Sequence, residues 1–188
     1  MIGNHDLRDV YFSTFPDAPQ DGQGFAQQIR DTAMGRFIFI DTFSEPGNSA
    51  GFYCHQRLEW LARQIDDAPG DVYIAMHHPP FDIGIPYMDR IKLVDHEAFT
   101  EVALAGDKLR HIFFGHVHRA VFGTWRGVPY SALPGLNHQV PLRREPDGER
   151  YTDEPPMYGV ITFSEEQTIF HYDCYWDRKA LPEPPKKK

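Results

Sequence analysis

Three short stretches of this 188-residue chain carry side chains that could bind a metal ion. His116 and His118 form a His-x-His pair directly after an apolar run, residues 112–114. The other two stretches are GNHD at residues 3–6 and HHPP at residues 77–80. Neutral imidazole is a common metal ligand. A single His-x-His is more often a pair of surface histidines, so a metal site requires that the stretches converge.

The predicted strands provide a reason for convergence. Residues 72–76 and 109–114 are short apolar strands that end at the second and third stretches. Open α/β sheets bind ligands beyond the carboxyl ends of their strands. In an extended backbone, residues two apart point to the same side, which would aim both imidazoles of the His-x-His pair one way. The candidate ligands are Asn4, His77, His116 and His118.

The residue pattern predicts strands alternating with helices, followed by strands alone. A helix over residues 53–66 is indicated by apolar residues at i, i+4, i+7 and i+11, and a second helix follows Asp95. A hairpin is predicted over residues 28–42. After the His-x-His pair, four strands are predicted at residues 120–126, 128–133, 158–164 and 168–175. The pattern predicts an α/β fold.

Composition limits the class of protein. Hydrophobic residues make up 41% and charged residues 24%, as in an ordinary globular domain, and the net charge is −8. An acidic chain does not bind nucleic acid by bulk charge, and no apolar run approaches the ~20 residues that span a bilayer. Two distant cysteines, Cys54 and Cys174, favour free thiols in the cytoplasm. We expect one domain over residues 1–180 and a disordered tail at residues 181–188.

The three stretches, in the order GNHD, HHPP and GHVH, resemble the last three signature blocks of the calcineurin-like metallophosphoesterases. The resemblance covers Gly3 to about Val140. Within that superfamily, the run MHHPPFDIGIPYMDRIKL is most similar to class III cyclic-nucleotide phosphodiesterases and the related glycerophosphodiesterases. The resemblance implies two facing mixed β-sheets flanked by helices.

The resemblance also implies roles for individual residues. Asn4, His77 and His116 match the ligands of one metal ion, and His118 matches a ligand of a second. The complete enzyme would hold two divalent ions, and amide and imidazole donors suit Mn, Fe, Zn or Co. His5 matches a histidine that neutralises charge on the phosphate or protonates the leaving oxygen, with Asp6 orienting its ring.

The implied reaction is hydrolysis of a small phosphodiester, a 3′,5′-cyclic nucleotide first and a glycerophosphodiester second. In two-metal sites, cations about 4 Å apart share the phosphoryl oxygens and activate a water. A metal-bridging hydroxide would attack without a covalent enzyme intermediate. The alternative is that the chain is a non-catalytic or metal-deficient fragment of such an enzyme.

Five further residues are candidates for lining the substrate, each with a plainer alternative. His78 could form only local hydrogen bonds, and Phe81 and Tyr87 could belong to an interface or the core. Arg119 could contact phosphate or form a salt bridge, and His138 could line the site or lie on the surface.

One departure from the family pattern affects the expected activity. The Asp-x-His and Gly-Asp-x-x-Asp blocks that precede GNHD in the family have no counterpart in this sequence. The chain therefore resembles the C-terminal two-thirds of such an enzyme, and we expect it to hold one ion or none and to turn over poorly. Asp41 could supply a carboxylate, although a structural cap is favoured. Exposed strand edges could pair between two copies of the chain, which would form a homo-oligomer.

Overall fold

A computed structural model describes residues 1–142 and 151–176. The predicted tail at residues 181–188 lies outside the described residues. The helices are α1 (Arg8–Thr14), α2 (His55–Asp66), α3 (Pro86–Asp89) and α4 (His96–Ala103). The strands are β1 (Gln28–Thr32), β2 (Gly35–Phe39), β3 (Val72–Met76), β4 (Leu109–Phe114), β5 (Val121–Trp125), β6 (Val128–Ala132), β7 (Met157–Phe163) and β8 (Thr168–Cys174).

Six strands form one mixed sheet in the order β1-β2-β3-β4-β6-β5. Strands β2, β3, β4 and β6 run parallel, and β1 and β5 pair antiparallel at the two edges. The register places Met76 of β3 opposite Phe114 of β4. The carboxyl ends of these two strands therefore lie side by side, which brings together the segments that follow them.

The second sheet, the antiparallel pair β7–β8, packs on one face of the six-stranded sheet. The contact is aromatic: the ring of Phe163 lies 5.5 Å from that of Phe37 and 5.3 Å from that of Tyr73. Helices α2 and α4 cover the other face, where Leu61 and Phe99 join one buried cluster with the strands. This arrangement confirms the predicted α/β fold with two facing sheets.

The predicted strands and the two longer helices agree with the structure to within a few residues, whereas α1 and α3 were not predicted. Both unpredicted helices are short, at seven and four residues. Within residues 1–142 and 151–176, no helix combines the length and apolar character needed to cross a membrane.

A buried carboxylate, Asp41, joins four segments near the end of β2. Its oxygens accept two hydrogen bonds from Arg8, at 2.7 and 3.1 Å, and one each from the backbone N–H groups of Ala26 and Phe43. Its backbone carbonyl accepts a 2.6 Å hydrogen bond from Arg57 of α2. Both carboxylate oxygens are occupied by protein donors, so the structure gives Asp41 the structural role rather than that of a metal ligand.

Replacing the Asp41 carboxylate should destabilise the protein strongly. Asp41→Asn would leave Arg8 and the buried Arg57 without their counter-charge, and breaking a buried ion pair costs about 3–5 kcal/mol. Asp71→Asn is the matched control, because Asp71 pairs with Arg110 at 2.8 Å in an ion pair that is about half exposed. We expect the control to lose at most about 1 kcal/mol. Urea unfolding measures both, and similar losses would contradict the assignment.

His111 lies buried between the two sheets. Its ring stacks on Phe113 at 4.3 Å and on Phe170 at 5.1 Å, and Nε2 lies 3.0 Å from the hydroxyl of Ser131. Burial lowers the pKa of His111 from 6.5 to about 4. The folded protein therefore holds this imidazole neutral in a pH range where the unfolded chain binds a proton.

This depressed pKa predicts an acid-sensitive contribution to stability. The contribution is present above pH 6.5 and is lost progressively as the pH falls towards 4, because only the unfolded state gains the proton. His111→Phe retains a ring between the sheets but cannot be protonated, so it should lose less stability than wild type between pH 7 and about 4.5. Urea unfolding at several pH values tests this, with exposed His171→Phe as the control. Parallel curves for wild type and His111→Phe would show that His111 does not contribute.

Candidate metal centre

The ends of β3 and β4 place two imidazoles next to each other. His77 follows β3 directly, and His116 follows β4 after Gly115. The parallel pairing continues one step beyond the strands, since the N–H of Gly115 donates to the carbonyl of His77 at 3.1 Å. The two rings lie 5.1 Å apart, although 38 residues separate them in the sequence.

Asn4 completes a group of three donor atoms at this point. Its Oδ1 lies 2.9 Å from Nε2 of His77 and 3.2 Å from Nδ1 of His116, and these two nitrogens lie 3.3 Å apart. Ligand atoms about 2.0–2.1 Å from a tetrahedral zinc ion lie about 3.3 Å from one another. The three atoms therefore have the spacing and the chemistry of ligands to one divalent ion.

The turn that carries Asn4 is held by hydrophobic packing and by a close approach of the backbone to His77. Ile2 is buried against Ala26 and Phe43, which fixes the chain just before the turn. Gly3 lies against the ring of His77, where a Cβ would come within 2.6 Å of the imidazole. Only glycine fits this approach, which brings Asn4 to His77.

Asp6 stabilises the turn that carries Asn4. Its carboxylate accepts a 2.7 Å hydrogen bond from the N–H of Gly3 and closes the turn. The side chain is exposed, and this bond directs it to the backbone. The structure thus shows a role for Asp6 in the turn, and its orientation of His5 stays a prediction.

The His-x-His pair does not continue the strand. His116 and His118 have φ angles of 65° and 47°, in the left-handed region. Non-glycine residues rarely adopt this conformation, which carries a local cost and is concentrated at functional sites. The two rings thus reach the same cavity through a strained turn, and the expectation of an extended backbone was wrong.

Burial favours the neutral, ligand-competent form of the clustered histidines. It lowers the pKa of His77 to about 4 and that of His116 to about 3, with smaller contributions from the charges of neighbouring histidines. The pKa of His118 is also lowered, chiefly by burial. At neutral pH these rings hold a lone pair that is available to a metal.

A small cavity of about 60 Å³ is lined by two of the three ligand residues, Asn4 and His116. A single water needs about 10–15 Å³ of such volume, so the cavity has room for a compact group such as a phosphoryl group. It is lined by Asn4, His5, Ser49, Tyr87, Met88, Ile91, His116, His118 and Tyr151. The lining combines the polar side chains of the histidines, Asn4 and Ser49 with aromatic and aliphatic side chains.

This lining includes the catalytic candidate His5 and one of the five residues proposed to line the substrate, Tyr87. Three further lining residues, Ser49, Ile91 and Tyr151, were not predicted. Ile91 follows Tyr87 within the same motif-bearing run and could have been included on that basis. Ser49 and Tyr151 come from loops without a motif and carry no signal in the sequence.

His78 lies behind the donor atoms rather than on the cavity. It is fully buried, its Nδ1 lies 2.8 Å from the hydroxyl of Thr42, and its ring lies 4.5 Å from that of His116. Burial lowers its pKa to about 2. One ring nitrogen each of His77, His78 and His116 lie within 4.8 Å of one another, so His78 belongs to the same cluster of potential metal ligands.

The structure places three other predicted lining residues elsewhere. Phe81 is buried against Phe114, Trp125 and Tyr130, which makes it a core residue. Arg119 donates to the carbonyl of Val140 at 3.0 Å and pairs with Glu154, so it stabilises a loop. The ring of His138 stacks on His118 at 4.5 Å, and it does not belong to the residues that line the cavity.

Comparison with known proteins agrees with this geometry. Residues 1–120 match the calcineurin-like phosphoesterase family. The chain is 36% identical to a probable cyclic nucleotide phosphodiesterase of Rhodopseudomonas palustris, over 91% of this chain and 64% of that protein. It is 31% identical to a glycerophosphodiester phosphodiesterase of Enterobacter lignolyticus, over 93% of this chain and 66% of that protein.

A solved structure shares the fold. The dimetal phosphatase of Danio rerio superposes with a TM-score of 0.65 at 16% identity, covering 90% of this chain and 67% of that one. The chain spans slightly less than two thirds of the length of the two curated relatives above. The family match covers more than half of the residues and contains all three histidine-bearing stretches. This chain belongs to the calcineurin-like phosphoesterase family.

Proposed function

We propose that this protein is a metal-dependent phosphodiester hydrolase that acts on 3′,5′-cyclic nucleotides. The observation that carries the proposal is the group of three donor atoms from Asn4, His77 and His116, all within 3.3 Å of one another beside a phosphate-sized cavity. The cyclic nucleotide activity named for the Rhodopseudomonas palustris relative supports the substrate class.

The residues divide into those that hold metal and those that act on substrate. Asn4, His77 and His116 would hold one divalent ion, and Nε2 of His118 is a ligand for a second. Such ions polarise phosphoryl oxygens and lower the pKa of bound water. The proposed metal ions are Mn, Fe, Zn or Co, because amide and imidazole ligands suit these ions.

His5 is proposed as the residue that acts on the phosphate. It follows Asn4 directly, is exposed and lines the same cavity. From there its ring reaches a bound phosphoryl group while the three ligand atoms stay with the metal. It would neutralise charge on that group or protonate the leaving oxygen.

The aromatic residues in the lining of the cavity support a nucleoside, rather than a small alcohol, as the organic group attached to the phosphate. Tyr87 and Tyr151 belong to that lining, and their rings offer faces on which a base can stack. A glycerophosphodiester is the competing substrate, supported by the Enterobacter lignolyticus relative. Rates on 3′,5′-cyclic AMP and on glycerophosphocholine distinguish the two, and a clear preference for glycerophosphocholine would reverse the proposed order.

We further propose that residues 1–180 act as one domain in the cytoplasm. The packing of both sheets through aromatic contacts supports the single domain. Cys54 and Cys174 are free thiols, which suits a reducing compartment. Assembly into a homo-oligomer stays a prediction.

The ligand assignment predicts which histidines are needed for metal. His77→Ala and His116→Ala each remove one of three donor atoms, so both variants should lose metal binding and hydrolysis of bis(p-nitrophenyl) phosphate with added Mn. His171→Ala is the control, because His171 is exposed on β8. Metal analysis and initial rates provide the measurements. Near wild-type turnover of His116→Ala at saturating metal would refute the assignment.

The role of His5 predicts a different pattern. His5→Ala should keep its metal but lose turnover, by about 100- to 10,000-fold if the ring acts as a general acid. The loss should be larger for an alkyl phosphodiester than for a nitrophenyl ester, whose leaving group needs less protonation. If the purified variant instead lacks one ion per chain, His5 is a metal ligand.

A further inference from the structure

The ring of His118 is held by a loop rather than by a strand or helix. Its Nδ1 lies 3.1 Å from the backbone carbonyl of His138, and its own carbonyl accepts a 2.9 Å hydrogen bond from the N–H of Val140. A carbonyl oxygen can only accept, so Nδ1 carries the hydrogen. The lone pair then lies on Nε2, the nitrogen left for a ligand in the cavity that His118 lines.

Gly135 lies directly against this hydrogen bond. A Cβ at Gly135 would come within 2.3 Å of the His138 carbonyl oxygen and 2.8 Å of Nδ1 of His118. The backbone at Gly135 therefore forms the wall behind the bonded pair. Whatever fixes Gly135 relative to residues 138–140 also fixes the carbonyl that orients His118.

The side chain of Gln139 makes that connection. Its Oε1 accepts from the N–H of Gly135 at 2.9 Å, and its Nε2 donates to the carbonyl of Gly135 at 2.7 Å. Nε2 also contacts the carbonyl of Pro155 at 3.2 Å, and the side chain is buried. The Gln139 amide thus binds both backbone groups of Gly135. This requires a side chain with both a hydrogen-bond donor and an acceptor.

We propose that Gln139 is a positioning residue that sets the tautomer of His118. By binding both backbone groups of Gly135, it holds the His138 carbonyl against Nδ1 and leaves Nε2 unprotonated towards the cavity. The use of Nε2 as a metal ligand rests on the proposed function, whereas the tautomer itself does not.

The imidazole of His138 is the alternative source of this control, because it stacks on the ring of His118 at 4.5 Å. The two sources predict different results. His138→Ala removes the stacked ring but keeps the backbone carbonyl, so the tautomer of His118 should be retained. Gln139→Met removes both amide bonds to Gly135 while keeping a side chain of similar length, so the tautomer should change.

The test is nitrogen NMR of histidine-labelled, metal-free protein above pH 7, with His118→Asn to assign the signal. Wild type and His138→Ala should show the Nδ1–H tautomer. In Gln139→Met the ratio of tautomers should shift about fivefold, the effect of losing one hydrogen bond's net stabilisation. Gln139→Glu, which keeps the acceptor but loses the donor, provides a second variant if Gln139→Met does not fold.

Gln27→Met controls for a general loss of packing. Gln27 is a buried glutamine whose amide bonds to Asp21 and Tyr53, away from His118. Its variant should leave the tautomer unchanged. An unchanged tautomer in both Gln139 variants, or an equal shift in Gln27→Met, would overturn the proposal. Because metal is absent, the result decides the role of Gln139 independently of phosphodiester hydrolysis.

Discussion

The buried carboxylate of Asp41 is the interaction on which the rest of the site depends. It joins Arg8, the backbone at Ala26, the end of β2 and, through its own carbonyl, Arg57 of α2. The guanidinium of Arg8 lies over the rings of Phe25 and Phe43, at 5.1 and 4.9 Å, which shields the pair from water. Helix α1 begins at Arg8, two residues after the GNHD turn. The ion pair therefore fixes the segment that carries Asn4 to the end of β2.

A second constraint is the cost of packing imidazoles together without charge. His77, His78 and His116 lie with ring centroids 4.5–5.1 Å apart, and burial keeps all three neutral. Among the residues that the structure describes, Nε2 of His78 and Nε2 of His116 are buried and find no hydrogen-bond partner. Buried polar atoms that form no hydrogen bond reduce the stability of the folded protein, and so does the left-handed backbone of the His-x-His turn. Strained and costly features of this kind are concentrated at functional sites, which agrees with a metal centre.

Sequence patterns predicted those features of the fold that are determined by residues close together in the sequence. The five apolar residues of β3 are all buried, and a continuous apolar run indicates such a strand. The placement of His77 and His116 followed from parallel strands ending at one edge. The left-handed turn at His116 and the hydrogen bond of Asp6 could not be read in this way, because both depend on the residues that pack around them in three dimensions. Gln139 was missed for the same reason, since its partners are backbone groups.

The residues that line the cavity were predicted less well, because packing in three dimensions also selects them. Phe81 lies in the motif-bearing run but turns towards Trp125 and Tyr130, because burial among aromatic rings is more favourable for a phenyl group than a wet cavity wall. Tyr151 takes a place on that wall from a part of the chain without a motif. The candidate metal ligands therefore come from local motifs, whereas the other lining residues of the cavity are those that tertiary packing selects. A family motif can thus indicate the phosphoesterase family of this chain, whereas residues such as Tyr87 and Tyr151 are brought together at the cavity only by the folded structure.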